Sequence, residues 1–283
     1  MNRQAILEHN PELPKKAGTG KSIKVTDRVQ ILNTGFDPLT LTQTVDWVID
    51  LIKSGQRGYI CTVNVAILMM MRSHPQLQNF VSKAALIVAD GQPLIWTSKF
   101  LPSSLPERVT GIDLIDAIAQ RAEQEGLGIY IMGATAQVIS AAVAKMQSKY
   151  PQLKICGFDD GYFKENQAPQ RAQAIAQSGA QILFVGMGVP RQETFLEKNW
   201  EKLGVNLAIG VGGSFDVYSG LRKRAPLWVQ ETGLEWLYRL IQEPQRLWKR
   251  YLLTNSQFML ELAKFMLTRN RQVTAPVDSR DRN

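Results

Sequence analysis

From Val29 onward, strand-length apolar runs alternate with helix-length amphipathic blocks, and that alternation restricts the chain to few architectures. The stretch "VQILNTGF" reads as a strand, as do "RGYICTV", "ALIVAD", "LGIYIMG", "LKICGF", "AQILFVGMG" and "VNLAIGVGG". Helical blocks lie between them. In "TLTQTVDWVIDLIKSG", Thr40 and Gln43 have capping-box spacing, Leu41, Val45, Val48, Ile49 and Ile52 form one stripe, and Gly55 stops the helix. A second capping-box start is expected at Thr110 and Asp113. Further helices are expected over "VAILMMMRS" and "PQLQNFVSKA", from Thr135 to Tyr150, through Gln177, and from Pro190 to Leu203. Strands alternating with helices predict an α/β fold, a mainly parallel sheet with flanking helices in Rossmann-like layers. Ligands of such sheets bind beyond the carboxyl ends of the strands.

The flanks differ. Residues 1–28 are polar and aperiodic and predict a flexible N-terminal arm. The α/β core is expected over 29–220, a basic amphipathic helical appendage over 221–271, and a disordered tail over 272–283. A hydrophobic share of 45% in 283 residues is enough to bury a core. The N-terminus has no apolar signal region, and no apolar run approaches the roughly 18 residues of a membrane span, which predicts a soluble or peripheral protein. A formal charge of +8 favours an acidic partner: nucleic acid, anionic lipid or a phosphorylated substrate. Cys61 and Cys156 sit in strand-like runs and read as buried thiols, and with only His9 and His74 a histidine-rich metal site is excluded.

Several strand ends carry candidate chemistry. Thr62 and Asn64 follow a strand and can bond a ligand, although Asn64 suits equally the cap of the next helix. Asp90 ends another strand beside Gly91, as a general base or as a turn residue. Arg108 lies just ahead of a helix N-terminus, where guanidinium and amides together suit an anion; a solvated surface arginine is the plainer alternative. Gly186 and Gly188 follow a strand, but Arg191 stands where a dinucleotide fingerprint needs its third glycine. Pro190 is expected in the first helical turn, with Gln192 and Glu193 facing the crevice. Gly210, Gly212 and Gly213 let a backbone pass near a diphosphate, and Asp216 beyond them suits a sugar hydroxyl; the P-loop lysine is absent. No spaced DxD pair is present, and "DDG" at Asp159–Gly161 reads as a turn. Arg246, Lys249 and Arg250 share one helical face, Arg239 lies on the preceding helix, and Pro244 separates the two. Trp236, Leu240, Trp248, Leu252 and Leu253 give those helices an apolar side, which fits either a lipid interface or packing on the body.

Taken in order, "TVN", "ADG", "RVTGIDL", "GMGVPRQE", "GVGGSFDVYSG", "KRAPLW" and "GLEWLYRLIQEPQRLWKRYL" resemble the WecG/TagA/CpsF family of bacterial glycosyltransferases, over about Val29 to Asn255. The resemblance implies transfer of a sugar, often N-acetylmannosamine, from a UDP-sugar donor to a polyprenyl-diphosphate-linked saccharide acceptor. It implies inversion, no metal and no cofactor, and a cytoplasmic protein held peripherally on the inner face of the membrane, an anionic surface. It makes Asp90 the general base and places Thr62 and Asn64 in the catalytic pocket. Arg108 would stabilise phosphate or leaving group, Gln192 and Asp216 would bind donor, and Arg239, Arg246, Lys249 and Arg250 would reach the diphosphate. Lys249 stands where a further arginine is expected, and an ammonium makes no bidentate phosphate contact. Two other functions compete: an enzyme that modifies a nucleotide sugar without transfer, and a non-catalytic basic protein at a membrane. Nucleic acid is not expected, because the basic residues cluster beside Trp and Leu at one end. Homo-oligomerisation is left open.

Overall fold

The computed structural model describes residues 27–273, with the side chains of 246, 250, 251 and 268–273 left outside the description. Most of the expected arm and tail therefore lie outside the described residues. Arg28, assigned to that arm, is instead tied to the body through Asp37 at 3.1 Å and the Ala84 carbonyl at 2.9 Å.

The stretch expected as one strand, "VQILNTGF", is a hairpin of β1 (Val29–Ile31) and β2 (Thr34–Phe36). The turn passes through Leu32 at φ 54°, a left-handed conformation that a local reading would not assign to leucine. Next come α1 (Leu41–Lys53), β3 (Gly58–Val63), α2 (Val65–Ser73), α3 (Pro75–Ser82), β4 (Leu86–Ala89) and α4 (Gln92–Ser98). The reciprocal capping box at Thr40 and Gln43 is present. Then follow α5 (Gly111–Glu125), β5 (Gly128–Gly133), α6 (Ala136–Lys149), β6 (Lys154–Asp159), α7 (Ala168–Gln177), β7 (Ile182–Gly186) and α8 (Arg191–Asn199). At α5 only half a capping box forms. Thr110 accepts from the Asp113 amide, while its hydroxyl donates to the Asp113 carboxylate, which is occupied by Arg224 as well. Pro190 caps α8 from outside instead of entering its first turn, and beyond Asn199 the chain tightens into a 3₁₀ turn. The chain finishes with β8 (Leu207–Gly210), α9 (Ser214–Tyr218), α10 (Leu227–Glu231), α11 (Glu235–Gln242) and α12 (Pro244–Val273). Pro244 ends one helix and starts the next, as expected of a residue without an amide donor.

Strands β3 to β8 form one parallel sheet in the order β4-β3-β8-β7-β5-β6. Of its inner strands, β5, β7 and β8 are buried along their whole length and β3 at all but Tyr59, as a sheet covered on both faces requires. One face, with Cys61, Val63, Leu183, Val185 and Ala208, packs against α2, α3, α7 and α8. The other, with Ile60, Ile129, Phe184 and Ile209, packs against α1, α5, α6 and α9. At β3, β8 and β7, neighbouring strands therefore send their chains to opposite faces. From β8 the chain turns to α9, while β3 and β7 on either side of it turn to α2 and α8. Such a divergence opens a crevice at the carboxyl edge. The C-terminal helices return to this body: Phe258 is buried and, with Leu262 and Phe265, packs on the α2 side, where Arg72 meets Glu261 at 2.8 Å. No helix among the described residues is long and apolar enough to cross a membrane.

Candidate active site

The crevice has two lobes that meet at Asp90, Asn64, Ala66 and Arg239. The larger, about 370 Å³, lies over the ends of β3, β7 and β8 and is walled by Thr62, Gly186, Gly188, Gln192, Gly212, Gly213 and Asp216. The smaller, about 90 Å³, lies toward α11 and is walled by Arg108, Thr110, Glu235 and Trp236. All the expected catalytic and donor-side residues thus line one continuous cleft, although they come from segments up to 154 positions apart, Thr62 to Asp216. Arg191, Arg222 and Lys223 add positive charge to the larger lobe.

Asp90 leaves β4 with its amide on the Val63 carbonyl, which fixes the carboxylate at the strand end. Burial pushes its pKa up from 3.8 to about 6. Arg239 and Arg108 pull it down, Glu235 pushes it up, and a hydrogen bond from the Gly111 amide favours the ionised form. A carboxyl poised near neutrality, between two lobes, suits proton abstraction at the junction.

The other residues have partners of their own. Thr62 is buried and its hydroxyl donates to the Gly210 carbonyl at 2.8 Å, bracing β3 against β8. Asn64 caps α2 by accepting from the Ile67 amide at 3.1 Å, so the plainer of its two readings holds while the residue still lines both lobes. Arg108 donates to Glu235 at 2.8 Å and is no solvated surface arginine. Gln192 is buried: its Oε1 accepts from the Gly212 amide at 3.1 Å, and its Nε2 donates to Glu193 at 2.8 Å. A Cβ on Gly210 would lie 2.6 Å from that Nε2, so β8 needs glycine there for the amide to reach the turn. Gly212 holds φ 53°, and Gly188 φ 77°. Gly186 is packed under the Phe215 ring. Asp216 faces Arg222 at 3.8 Å, and Arg222 is paired with Glu243 as well.

Glu193 was expected in the crevice; it lies instead behind Gln192, buried away from both lobes. Burial raises its pKa to about 7. Lys249 is exposed, lies over the Trp248 ring at 5.5 Å and lines neither lobe. The side chains of Arg246 and Arg250 lie outside the described residues. Tyr162 and Glu235, not singled out from sequence, line the cleft. Tyr162 is 70% exposed on the wall of the larger lobe, with the Arg191 guanidinium 5.6 Å from its ring. Glu235 is the anion around which Arg108 and Arg239 gather. Arg224 joins Asp113 to the same cluster. Among the described residues no group of three or more His, Cys, Asp or Glu is arranged to hold a metal ion.

A doubly wound sheet with a two-lobed crevice at its carboxyl edge and a carboxylate where the lobes meet suits an enzyme that brings two substrates together. The profile of the glycosyl transferase WecG/TagA/CpsF family matches residues 29–272, and the chain belongs to that family; it is a glycosyltransferase. It is 34% identical over 195 residues to the N-acetylglucosaminyldiphosphoundecaprenol N-acetyl-beta-D-mannosaminyltransferase of Bacillus spizizenii, covering 69% of this chain and 75% of that one. To the protein of the same name from Bacillus subtilis it is 34% identical over 227 residues, covering 78% and 84%.

Proposed function

We propose that this enzyme transfers N-acetylmannosamine or a related hexose from a UDP-sugar to a polyprenyl-diphosphate-linked saccharide, with inversion and without a metal, in the synthesis of a cell-surface polysaccharide. The observation that carries the reading is the position of Asp90 where the two lobes join. The larger lobe takes the donor. Its glycines allow backbone near a diphosphate, its cations Arg191, Arg222, Lys223 and Arg239 face the phosphates, and the exposed Tyr162 ring offers the base a stacking surface. The smaller lobe takes the acceptor sugar, and the printed names of the two Bacillus relatives favour N-acetylglucosamine on a prenyl diphosphate there.

In a single displacement, Asp90 takes the proton of the acceptor hydroxyl as its oxygen bonds to the anomeric carbon. The bond from that carbon to the diphosphate breaks on the opposite face, UDP leaves, and the configuration inverts. Negative charge grows on the diphosphate, and fixed guanidiniums stabilise that growth more than they stabilise the bound donor. This is the basis for proposing a metal-free reaction.

The acceptor's lipid tail calls for a membrane surface. Ile241, Trp248, Leu252 and Leu253 are exposed on the helices that carry Arg239 and Lys249, and Leu227 and Trp228 are exposed on α10 just before them, a pairing of apolar and basic groups that suits an anionic interface. Peripheral attachment on the inner face of the cytoplasmic membrane follows, with these helices turned to the lipid.

The test is a panel of UDP-sugars offered with a short-chain prenyl-diphosphate-N-acetylglucosamine, following UDP release with and without EDTA. Sugar-dependent release with UDP-N-acetylmannosamine, unchanged by EDTA, is expected. Release without any acceptor would instead favour a hydrolytic enzyme, conversion of the UDP-sugar without UDP release would favour a donor-modifying one, and loss of release in EDTA would refute the metal-free mechanism.

A further inference from the structure

Glu235 opens α11 in the stretch "GLEWLYRL" and is buried. Its carboxylate is shared by three guanidiniums. Arg108 reaches Oε2 at 2.8 Å, Arg239 reaches Oε1 at 3.5 Å, and Arg224 stands 3.9 Å from Oε1 while also gripping Asp113 at 2.7 Å. An ordinary first-turn acid answers the helix dipole from the surface. A buried one at the centre of three arginines does something else, because a buried charge persists only where it is paired.

Two of those arginines, Arg108 and Arg239, line the smaller lobe together with Asp90. They come from different parts of the chain, Arg108 from the loop ahead of α5 and Arg239 from one turn along α11. A long guanidinium side chain holds one geometry only where a fixed acceptor meets its fork. We propose that Glu235 is a positioning residue for the transfer: its carboxylate ties Arg108 of the α/β body to Arg239 of the C-terminal helices and holds both guanidiniums beside Asp90 in the acceptor lobe. The inference rests on reading Asp90 as the base of glycosyl transfer.

This role has a signature in pH. The charged groups that act on Asp90 are Arg108 from the loop before α5, Arg239 and Glu235 from α11, and Arg224 from the segment ahead of α10, with the Gly111 amide at the start of α5. The two arginines of the lobe favour the Asp90 carboxylate and Glu235 opposes it. A neutral residue at 235 removes the repulsion and leaves Asp90 as the lobe's remaining carboxylate for both guanidiniums, so Asp90 ionises at lower pH while the arginines, drawn to it, lose the geometry that serves the diphosphate.

The experiment compares kcat/KM from pH 4.5 to 8.5 for the full-length wild type, Glu235→Gln, Glu235→Asp and Asp90→Asn, with a thermal melt of each. Asp90→Asn is expected to be inactive throughout. Glu235→Gln is expected to melt cooperatively and to lose at least about tenfold of its plateau activity, with its acid limb about one pH unit lower. At pH 5 it then retains a roughly fivefold larger share of its own plateau than wild type does. Glu235→Asp, which keeps the charge, restores the limb and most of the plateau. Activity in Asp90→Asn would overturn the base itself. With Asp90→Asn inactive, an unmoved limb in Glu235→Gln, or loss of cooperative melting in both Glu235 variants, would reduce Glu235 to a structural ion pair and overturn the inference.

Discussion

Replacing Asp90 by Asn should abolish transfer and at the same time stabilise the fold, and the second effect can be worked from the cleft. The carboxyl's pKa is raised from 3.8 to about 6, with burial the leading cause. Above pH 6 the folded protein therefore carries a charge that its surroundings resist, whereas the unfolded chain ionises freely above 3.8. The difference between 3.8 and about 6, at about 1.36 kcal/mol per pH unit, sets an upper limit of about 3 kcal/mol on the cost. Water in the cleft reaches Asp90, which is only partly buried by surface exposure, and this brings the figure to about half. Asparagine keeps an oxygen for the Gly111 amide and never ionises. At pH 8 its melting temperature should exceed that of the wild type by about 4 °C, given roughly 2–4 °C per kcal/mol for a chain of this size. The sign follows from linkage. The penalty is complete above the folded pKa, shrinks as pH falls from 6 toward 3.8, and vanishes where both states are protonated. Melts followed by circular dichroism at pH 8 and pH 4.5 read both halves, and UDP release reads the activity. An Asp90→Asn protein less stable than wild type at pH 8, or a gain equally large at pH 4.5, would refute the picture of a carboxylate held ionised against its surroundings.

Three further outcomes are expected. Gly210→Ala places a methyl 2.6 Å from Gln192 Nε2 and displaces the amide from the Gly212 turn; the donor KM should rise about tenfold with little change in melting, measured with donor varied at saturating acceptor. Thr62→Val removes the hydroxyl that braces β3 on the Gly210 carbonyl, costing about 1 kcal/mol in urea unfolding, and a kcat near that of wild type would assign Thr62 to the brace and not to the chemistry. Lys249→Gln should weaken sedimentation with phosphatidylglycerol vesicles about fivefold at low salt, from about 1 kcal/mol per basic residue near an anionic surface, and Trp228→Ser should weaken it independently of salt.

What the sequence disclosed is what local rules govern. Periodicity and caps depend on residues three or four apart, so the alternation of strands and helices, and with it the delivery of Asp90, Gly186 and Gly212 to one edge, could be read directly. The β1–β2 turn escaped because Leu32 adopts a conformation that glycine or asparagine normally signals. The apolar stripe of the C-terminal helices was visible, but not its division: Leu247 and Phe258 are buried, while Trp248 and Leu252 face outward. Periodicity reports an amphipathic face without saying whether protein or lipid covers it. The partners of the site residues escaped for a different reason. Thr62 finds its acceptor 148 positions away, Gln192 spends its amide on a turn 20 positions on, and Arg108 meets its countercharge at a separation of 127. A candidate list drawn from motif positions is therefore biased toward groups that look reactive and against the groups that restrain them. Glu235 is the plainest instance. In sequence it is an acid in a helix's first turn, and only the arrival of Arg108 from the α/β body makes it the point at which that body and the C-terminal helices share one charge.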